Sequence, residues 1–268
     1  MKKIVLIFCV FCALILLVCS ALAEDGLVIF DNEYVSMIAK QLNANNDSIT
    51  LSVLLENKTD KTVMFGTDGG IAVNGMEVSD MFAVELPAHT KKNTDIVCSG
   101  LAEKGVKTAP SMILLSVRAY DSNDWSAEDL AKTKYTIAVG APDAAHKDIQ
   151  DISNALIVAN TDKVTIAILG YTETFMGKGI KVYLENKADT STMFAVEESA
   201  VNGFAIDPFW ADSVMPGCAS IDDVVFFSSS LEENGITQID EIRGKFKAYD
   251  DDNWGNYYIE DAFVYSMK

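Results

Sequence analysis

The stretch LLENKTDKTVMFGTDGGIAVNG, Leu54 to Gly75, is written again as YLENKADTSTMFAVEESAVNG, Tyr183 to Gly203. The echo is long and nearly free of gaps, which marks a duplication rather than two strands of similar composition. Leu55-Glu56-Asn57-Lys58 returns 129 residues later as Leu184-Glu185-Asn186-Lys187, and Met64-Phe65 as Met193-Phe194. The spacing slips to 128 at Asn74-Gly75 and Asn202-Gly203, and is 129 again at Ala119-Tyr120-Asp121 and Ala248-Tyr249-Asp250. Further out, Leu27-Val28-Ile29 aligns with Leu156-Ile157-Val158, Pro87 with Pro216 and Trp125 with Trp254. A period near 129 is too long for a solenoid repeat, so each copy is expected to be a domain with its own core.

Inside each copy the pattern is that of strands. Ile49 to Leu54 and Gly179 to Leu184 mix apolar and polar residues with β-branched side chains, as half-buried strands do. Each runs into turn residues at Asn57 or Asn186 before the chain reverses into Met64-Phe65 or Met193-Phe194. Asn74-Gly75 and Asn202-Gly203 are hairpin dipeptides, because both residues accept positive φ. Later strands are expected at Ser111 to Ala119 with Glu241 to Ala248, and at Tyr135 to Val139 with Ala262 to Tyr265. Short helical turns are expected at Ser79 to Val84, Ala127 to Ala131 and Ser229 to Asn234. Short strands with turn signals about every ten residues predict an all-β fold of two tandem antiparallel β-sandwiches. The boundaries are residues 24–140 for repeat 1, 141–150 for a linker and 151–268 for repeat 2.

Residues 1–23 have the form of a signal peptide: Lys2 and Lys3, an apolar run from Ile4 to Val18, and small residues at Ala21 and Ala23. Cleavage after Ala23 and a secreted or cell-envelope location are expected. No basic cluster follows the run, which argues against a retained anchor, and Val18 before Cys19 argues against lipid attachment. Without the signal, 19 basic residues face 39 acidic ones. So acidic a surface repels phosphate backbones and anionic lipid, which excludes nucleic acid and membrane surfaces as partners. Cys9, Cys12 and Cys19 leave with the signal. At a spacing of 129, Cys98 falls opposite Phe227 and Cys218 opposite His89, so no bridge forms within a copy, and one between copies stays open.

The series LENK-x-D, VNG, a later Pro, Leu231-Glu232-Glu233-Asn234-Gly235-Ile236 and Ala-Tyr-Asp with a following Trp resembles immunoglobulin-like modules of uncharacterised secreted proteins and lipoproteins from Clostridia-type bacteria. The first copy departs from it, with Leu101-Ala102-Glu103-Lys104-Gly105-Val106 at the helical turn. The resemblance implies two immunoglobulin-like domains with an accessory role outside the cell, and it brings no catalytic residues.

The residues carry no enzyme signature either. His89 and His146 have no partner His or Cys at ligand spacing, and neither Gly-x-Ser-x-Gly nor a P-loop is present. No cofactor or metal is expected. Asp121 to Trp125 and Asp250 to Trp254 place oxygen ligands at alternate positions, but no distal Glu completes a calcium loop, so an Asx-rich turn with Trp125 and Trp254 packed over the sandwich edge is expected, and Asp250 and Asp252 stand as candidate ligand-binding residues. Trp210, with Phe209 and Tyr257-Tyr258, is a candidate aromatic platform that stacks on sugars, and Trp254 is a further candidate ligand-binding residue. Asn46-Asp47-Ser48 and Asn57-Lys58-Thr59 match the glycosylation sequon. Two functions fit: a non-enzymatic interaction module binding an extracellular protein, and a carbohydrate-binding accessory protein.

Overall fold

The computed structural model describes residues 18–20, 26–78, 82–124, 126–139 and 146–267. Most of the expected signal, the cut after Ala23, residues 79–81 of the turn expected at 79–84, Trp125 and half of the expected linker lie outside them. Regular structure among the described residues is strand, except for one short helix, α1 (Ser228–Glu233).

The first half contains β1 (Val18–Ser20), β2 (Leu27–Asp31), β3 (Val35–Ala44), β4 (Ser48–Asn57), β5 (Val63–Val73), β6 (Met76–Val78), β7 (Ala83–Leu86), β8 (Lys91–Ser99), β9 (Met112–Asp121) and β10 (Ala131–Ala138). One sheet runs β1-β3-β4-β8 with β2 also on β3; the facing strands run β10-β9-β5-β6 with β7 on β5. The second half contains β11 (Leu156–Asn160), β12 (Val164–Glu173), β13 (Gly177–Asn186), β14 (Thr192–Val201), β15 (Phe204–Ala205), β16 (Ala211–Val214), β17 (Ala219–Phe227), β18 (Glu241–Asp250) and β19 (Asn253–Ser266). Its strands pair in the same sequence, β11-β12-β13-β17 and β15-β14-β18-β19 with β16 on β14.

The registers correspond as well. Val35 lies opposite Asn57 and Val164 opposite Asn186, with a bulge after Ala39 in one pair and after Ile168 in the other. β4 shows how such a strand is made: Ile49, Leu51, Val53 and Leu55 are buried while the residues between them are half-buried, the period of two that places one face on a core. Phe65, Phe194, Phe226 and Phe246 are fully buried. Each contributes about 2–3 kcal/mol by leaving water.

The repeated LENK and VNG residues hold turns. Asn57 Nδ2 donates to the carbonyls of Lys61, Leu86 and Pro87 at 2.7, 3.0 and 3.0 Å, and its Oδ1 accepts from the Thr59 N–H at 2.9 Å. Asn186 repeats this with the carbonyls of Thr190 and Val214 at 2.8 and 2.7 Å and the Ala188 N–H at 2.9 Å. Lys58 and Lys187 each reach back to the preceding hairpin, at the carbonyls of Asn32 and Thr161. Asn74 and Asn202 have φ of 49° and 50°, followed by Gly75 and Gly203 at 78° and 86°, the twist a two-residue hairpin demands. Asn57 is buried, so its sequon is closed in the folded chain, whereas Asn46 is exposed.

The slip in spacing has a structural origin. In β5 the pairing with β9 jumps from Thr67 to Gly70, two residues beside one step, through Gly69 and Gly70 at positive φ. In β14 the jump from Glu197 to Ala200 bypasses one residue fewer relative to β18. A β-bulge absorbs the extra residue. The spacing then stays at 128 through β8 and β17, since Ile49 faces Cys98 where Lys178 faces Phe226. Cys98 therefore corresponds to Phe226, not Phe227, Cys218 to Thr90, not His89, and Pro87 to Met215, not Pro216. Both cysteines are buried and neither is in a disulfide, so the two copies are not bridged.

Three further expectations change. Residues 126–130 form turns and bends, and Ala131 starts β10, so no helical turn lies there; Ala83 and Val84, expected at the end of another helical turn, begin strand β7 instead. β19 is far longer than Ala262 to Tyr265. The halves also meet: Met76 of β6 pairs in parallel with Ala219 of β17, and the Ala219 N–H donates to the Gly75 carbonyl at 2.8 Å. A nine-stranded sheet thus runs through both halves. Ala167, Tyr183, Ala219 and Ile221 belong to the first half's apolar core, and Ala72 to the second's.

Candidate functional site

The acidic corner is built as a turn. Asp250 Oδ1 accepts the N–H of Asp252 at 3.1 Å and Asp121 Oδ1 that of Asn123 at 3.0 Å, two residues on in each case. Asp121 Oδ2 binds Lys61 Nζ at 2.7 Å, and that hydrogen bond holds its carboxyl below the usual range. Asp251 Oδ2 accepts from Ser213 Oγ at 2.6 Å, and Asp252 is exposed. Among the described residues no three His, Cys, Asp or Glu side chains are placed to hold a metal ion.

The candidate aromatics are not one platform. Trp210 is half-buried, stands edge-on to Phe246 at 6.2 Å and 86°, and donates its indole N–H to Asp222 at 2.8 Å. Tyr258 is half-buried and bonds Thr190 through its hydroxyl at 3.1 Å. Trp254 and Tyr257 are exposed, at 71% and 50%. Trp254 donates to the Asp251 carbonyl, and Tyr257 lies 5.5 Å from Tyr249 with Lys247 over its ring. Asp250 and Asp252 shape the turn that carries Trp254.

A further concavity lies at neither place. It is an open cleft of about 1050 Å³ in the second half, between the start of β11, the last residues of β12 and the end of β19. Leu156, Tyr171, Val264 and Met267 form its apolar wall, with Lys178 and Gln238 at its polar side. Lys178 donates to the Thr237 carbonyl at 3.2 Å. The registers show why the first half lacks this cleft: Leu42 and Ile49, both buried, occupy the positions of Tyr171 and Lys178. The β12–β13 turn adds Phe175 and Met176, exposed at 96% and 45%, where the β3–β4 turn has Asn46 and Asp47. Comparison of the two copies position by position carries this signal, as apolar-to-polar changes inside and the reverse outside.

The junction of the halves is polar around a smaller pocket of about 330 Å³ lined by Glu77, Lys104, Asp212, Ser220 and Asp222. Glu77 accepts the Met215 N–H at 2.6 Å, and Lys104 lies 3.8 Å from Asp222. Burial, and then the charge of Asp222, push the Asp212 carboxyl up to about 6. Its Oδ2 is buried without a hydrogen bond. Burial likewise pushes the Cys218 thiol up to about 12, which keeps it an inert thiol. Residues 146–150, expected as linker, are fastened here: Asp148 is buried, accepts from Asn74 Nδ2 and the Lys107 N–H at 3.2 and 3.0 Å, and Gln150 donates to the Gly105 carbonyl at 2.6 Å.

No protein-family model matches the chain, and no curated protein does. Among solved structures, the CsuC–CsuE chaperone–tip adhesion subunit pre-assembly complex of the archaic chaperone-usher Csu pili of Acinetobacter baumannii matches at 11% identity. The match covers 80% of this chain and 90% of that one, with a TM-score of 0.19. Among the described residues no helix is long and apolar enough to cross a membrane.

Proposed function

We propose that the chain is an exported, non-enzymatic interaction module made of two copies of one immunoglobulin-like β-sandwich, related to the duplicated modules of secreted proteins and lipoproteins from Clostridia-type bacteria. One observation carries the reading. The repeated residues Asn57 and Asn186, and Asn74 and Asn202, are spent on turns, while open apolar surface gathers at the cleft of the second half. Residues shared by both copies thus make the scaffold, and residues peculiar to one copy make a binding surface. A protein partner suits that surface, since a typical interface has an apolar centre and a polar rim. Residues 1–23 direct export and are cut after Ala23.

The test is photocross-linking of the exported protein in its producing cells, with probes at Tyr171, Phe175 and, as a control, Thr133 on the first half. A discrete adduct with another protein from the first two positions is expected. Equal labelling at all three, or none, refutes the reading. A second reading, glycan binding, rests on Trp254 and Tyr257, both exposed on β19. A saturable quench of Trp254 fluorescence by an oligosaccharide, abolished in Trp254→Ala, would favour it.

A further inference from the structure

We infer that the free edge of β12 at Tyr171–Glu173 accepts an extended, apolar strand from a partner protein, which adds antiparallel to β12 and sets side chains in the adjoining cleft. This deepens the interaction reading above and rests on it.

The fold itself supplies the template. In the uncut chain, β1, which belongs to the segment removed on export, lies antiparallel along β3, with Val18 opposite Ala44, Cys19 opposite Asn43 and Ser20 opposite Leu42, and so shows that this edge takes an added strand. By the shared register those three positions of β3 correspond to Glu173, Thr172 and Tyr171 of β12. There, β12 is paired with β13 on one side only. β11 ends its pairing at Leu156 opposite Ile168, and no described strand continues along the other side. Backbone donors and acceptors at such an edge are ready to pair with an added chain.

The edge stays open for a topological reason. The residues ahead of β11 arrive from the first half and are committed to it: Gln150 bonds Gly105, and Ile152 and Ala155 pack against the first half's core. They cannot also run along β12 as β1 runs along β3. The surroundings match an apolar strand with basic flanks. Leu156, Val264 and Met267 wall the cleft beside the edge, Glu173 is exposed on it, and the whole chain has a formal net charge of −18. In the first half the position of Val264 is held by Thr136, by the register of β9 with β10 against β18 with β19.

The probe is a synthetic peptide, Lys-Lys-Leu-Leu-Val-Cys-Ser-Lys-Lys, whose middle five residues are residues 16–20 of this chain. It is titrated in reducing buffer into the exported protein and followed by amide nuclear magnetic resonance. Saturable shifts are expected at Tyr171, Thr172 and Glu173, with a second group at Leu156 and Val264; because export removes β1, the peptide should also shift Leu42, Asn43 and Ala44, its own edge, and that group serves as the internal control that Val264→Lys leaves unchanged. Val264→Lys, at a site 56% exposed, should weaken the peptide at least tenfold and leave the melting temperature unchanged. No shift at residues 171–173 up to millimolar peptide overturns the inference. So does a concentration-dependent dimer that Val264→Lys dissolves, because the occupant would then be a second copy. The two readings fail separately: a cross-linked partner retained in full by Val264→Lys removes the strand site and leaves the interaction module, whereas peptide addition with no partner captured in cells removes the module.

Discussion

At the scale of single residues, the repeated asparagines decide local stability. Asn57→Ala and Asn186→Ala each strip an amide from buried carbonyls, and the orphaned groups should cost about 2–3 kcal/mol, read as a lower urea midpoint at an unchanged slope. Exposed Asn46→Ala, by contrast, should be nearly silent. Asp212 works in the other direction. Its carboxyl is raised from 3.8 to about 6 in the folded protein, by burial first and then by Asp222. The folded state therefore holds the proton more tightly than the unfolded state. Stability from this group is present below the unfolded value and lost as pH rises through the folded one. Asp212→Asn should accordingly raise stability at pH 7.5 by on the order of 2 kcal/mol, read as a higher melting temperature, and leave it little changed near pH 4. Equal effects at both pH values would show that the carboxyl's charge is not what strains the junction. Asp121 has the opposite sign, since Lys61 lowers its value and its contribution fades on acidification.

At the scale of elements, the two halves use one set of pairings with different tolerances. β13 approaches β17 so closely at Gly179 that a Cβ there would stand 1.9 Å from the Val224 carbonyl oxygen. The corresponding residue of β4 is Thr50, which the first half accommodates. Gly179→Ala should therefore cost about 3 kcal/mol or more, because strand backbones must part, whereas Thr50→Ala should cost under about 1 kcal/mol. Thermal melts of the two variants check this, and a mild effect of Gly179→Ala would mean that β13 and β17 can separate freely. The β5 and β14 bulges show the same principle at lower cost: one more residue in β5 is taken up by Gly69 and Gly70, with no change in the strands beyond.

At the scale of the whole molecule, the junction couples the halves. Residues 146–268 alone would expose Ile221 and Tyr183, which the first half now covers, and would lose the Met76–Ala219 pairing. Each of those side chains is worth about 2 kcal/mol in burial. The isolated half, which keeps two facing sheets and an apolar cluster of its own, should still unfold cooperatively, at a melting temperature several degrees below that of the whole chain. Circular dichroism on both proteins is the measurement, and loss of any cooperative transition would mean that neither half is a folding unit.

Much of the strand layout was readable from one dimension. β-branched alternation, Asn-Gly hairpins and the echo of Leu54–Gly75 are local signals, and strands with their turns are local decisions of backbone and period. The roles of Asn57 and Asn186 were not readable, because their carbonyl partners at Leu86 and Val214 lie 29 and 28 residues away. Nor was the place of Trp210, which shared a composition with Trp254 and Tyr257 but is turned onto Phe246 and Asp222. The sequence by itself determined the all-β class, the internal echo and the acidic surface. Only the tertiary structure decided that one sheet crosses both halves and that a cleft opens in the second alone. The reason is physical: pairing across the junction and the filling of a sandwich end depend on contacts between residues far apart in the chain, and no local pattern encodes them.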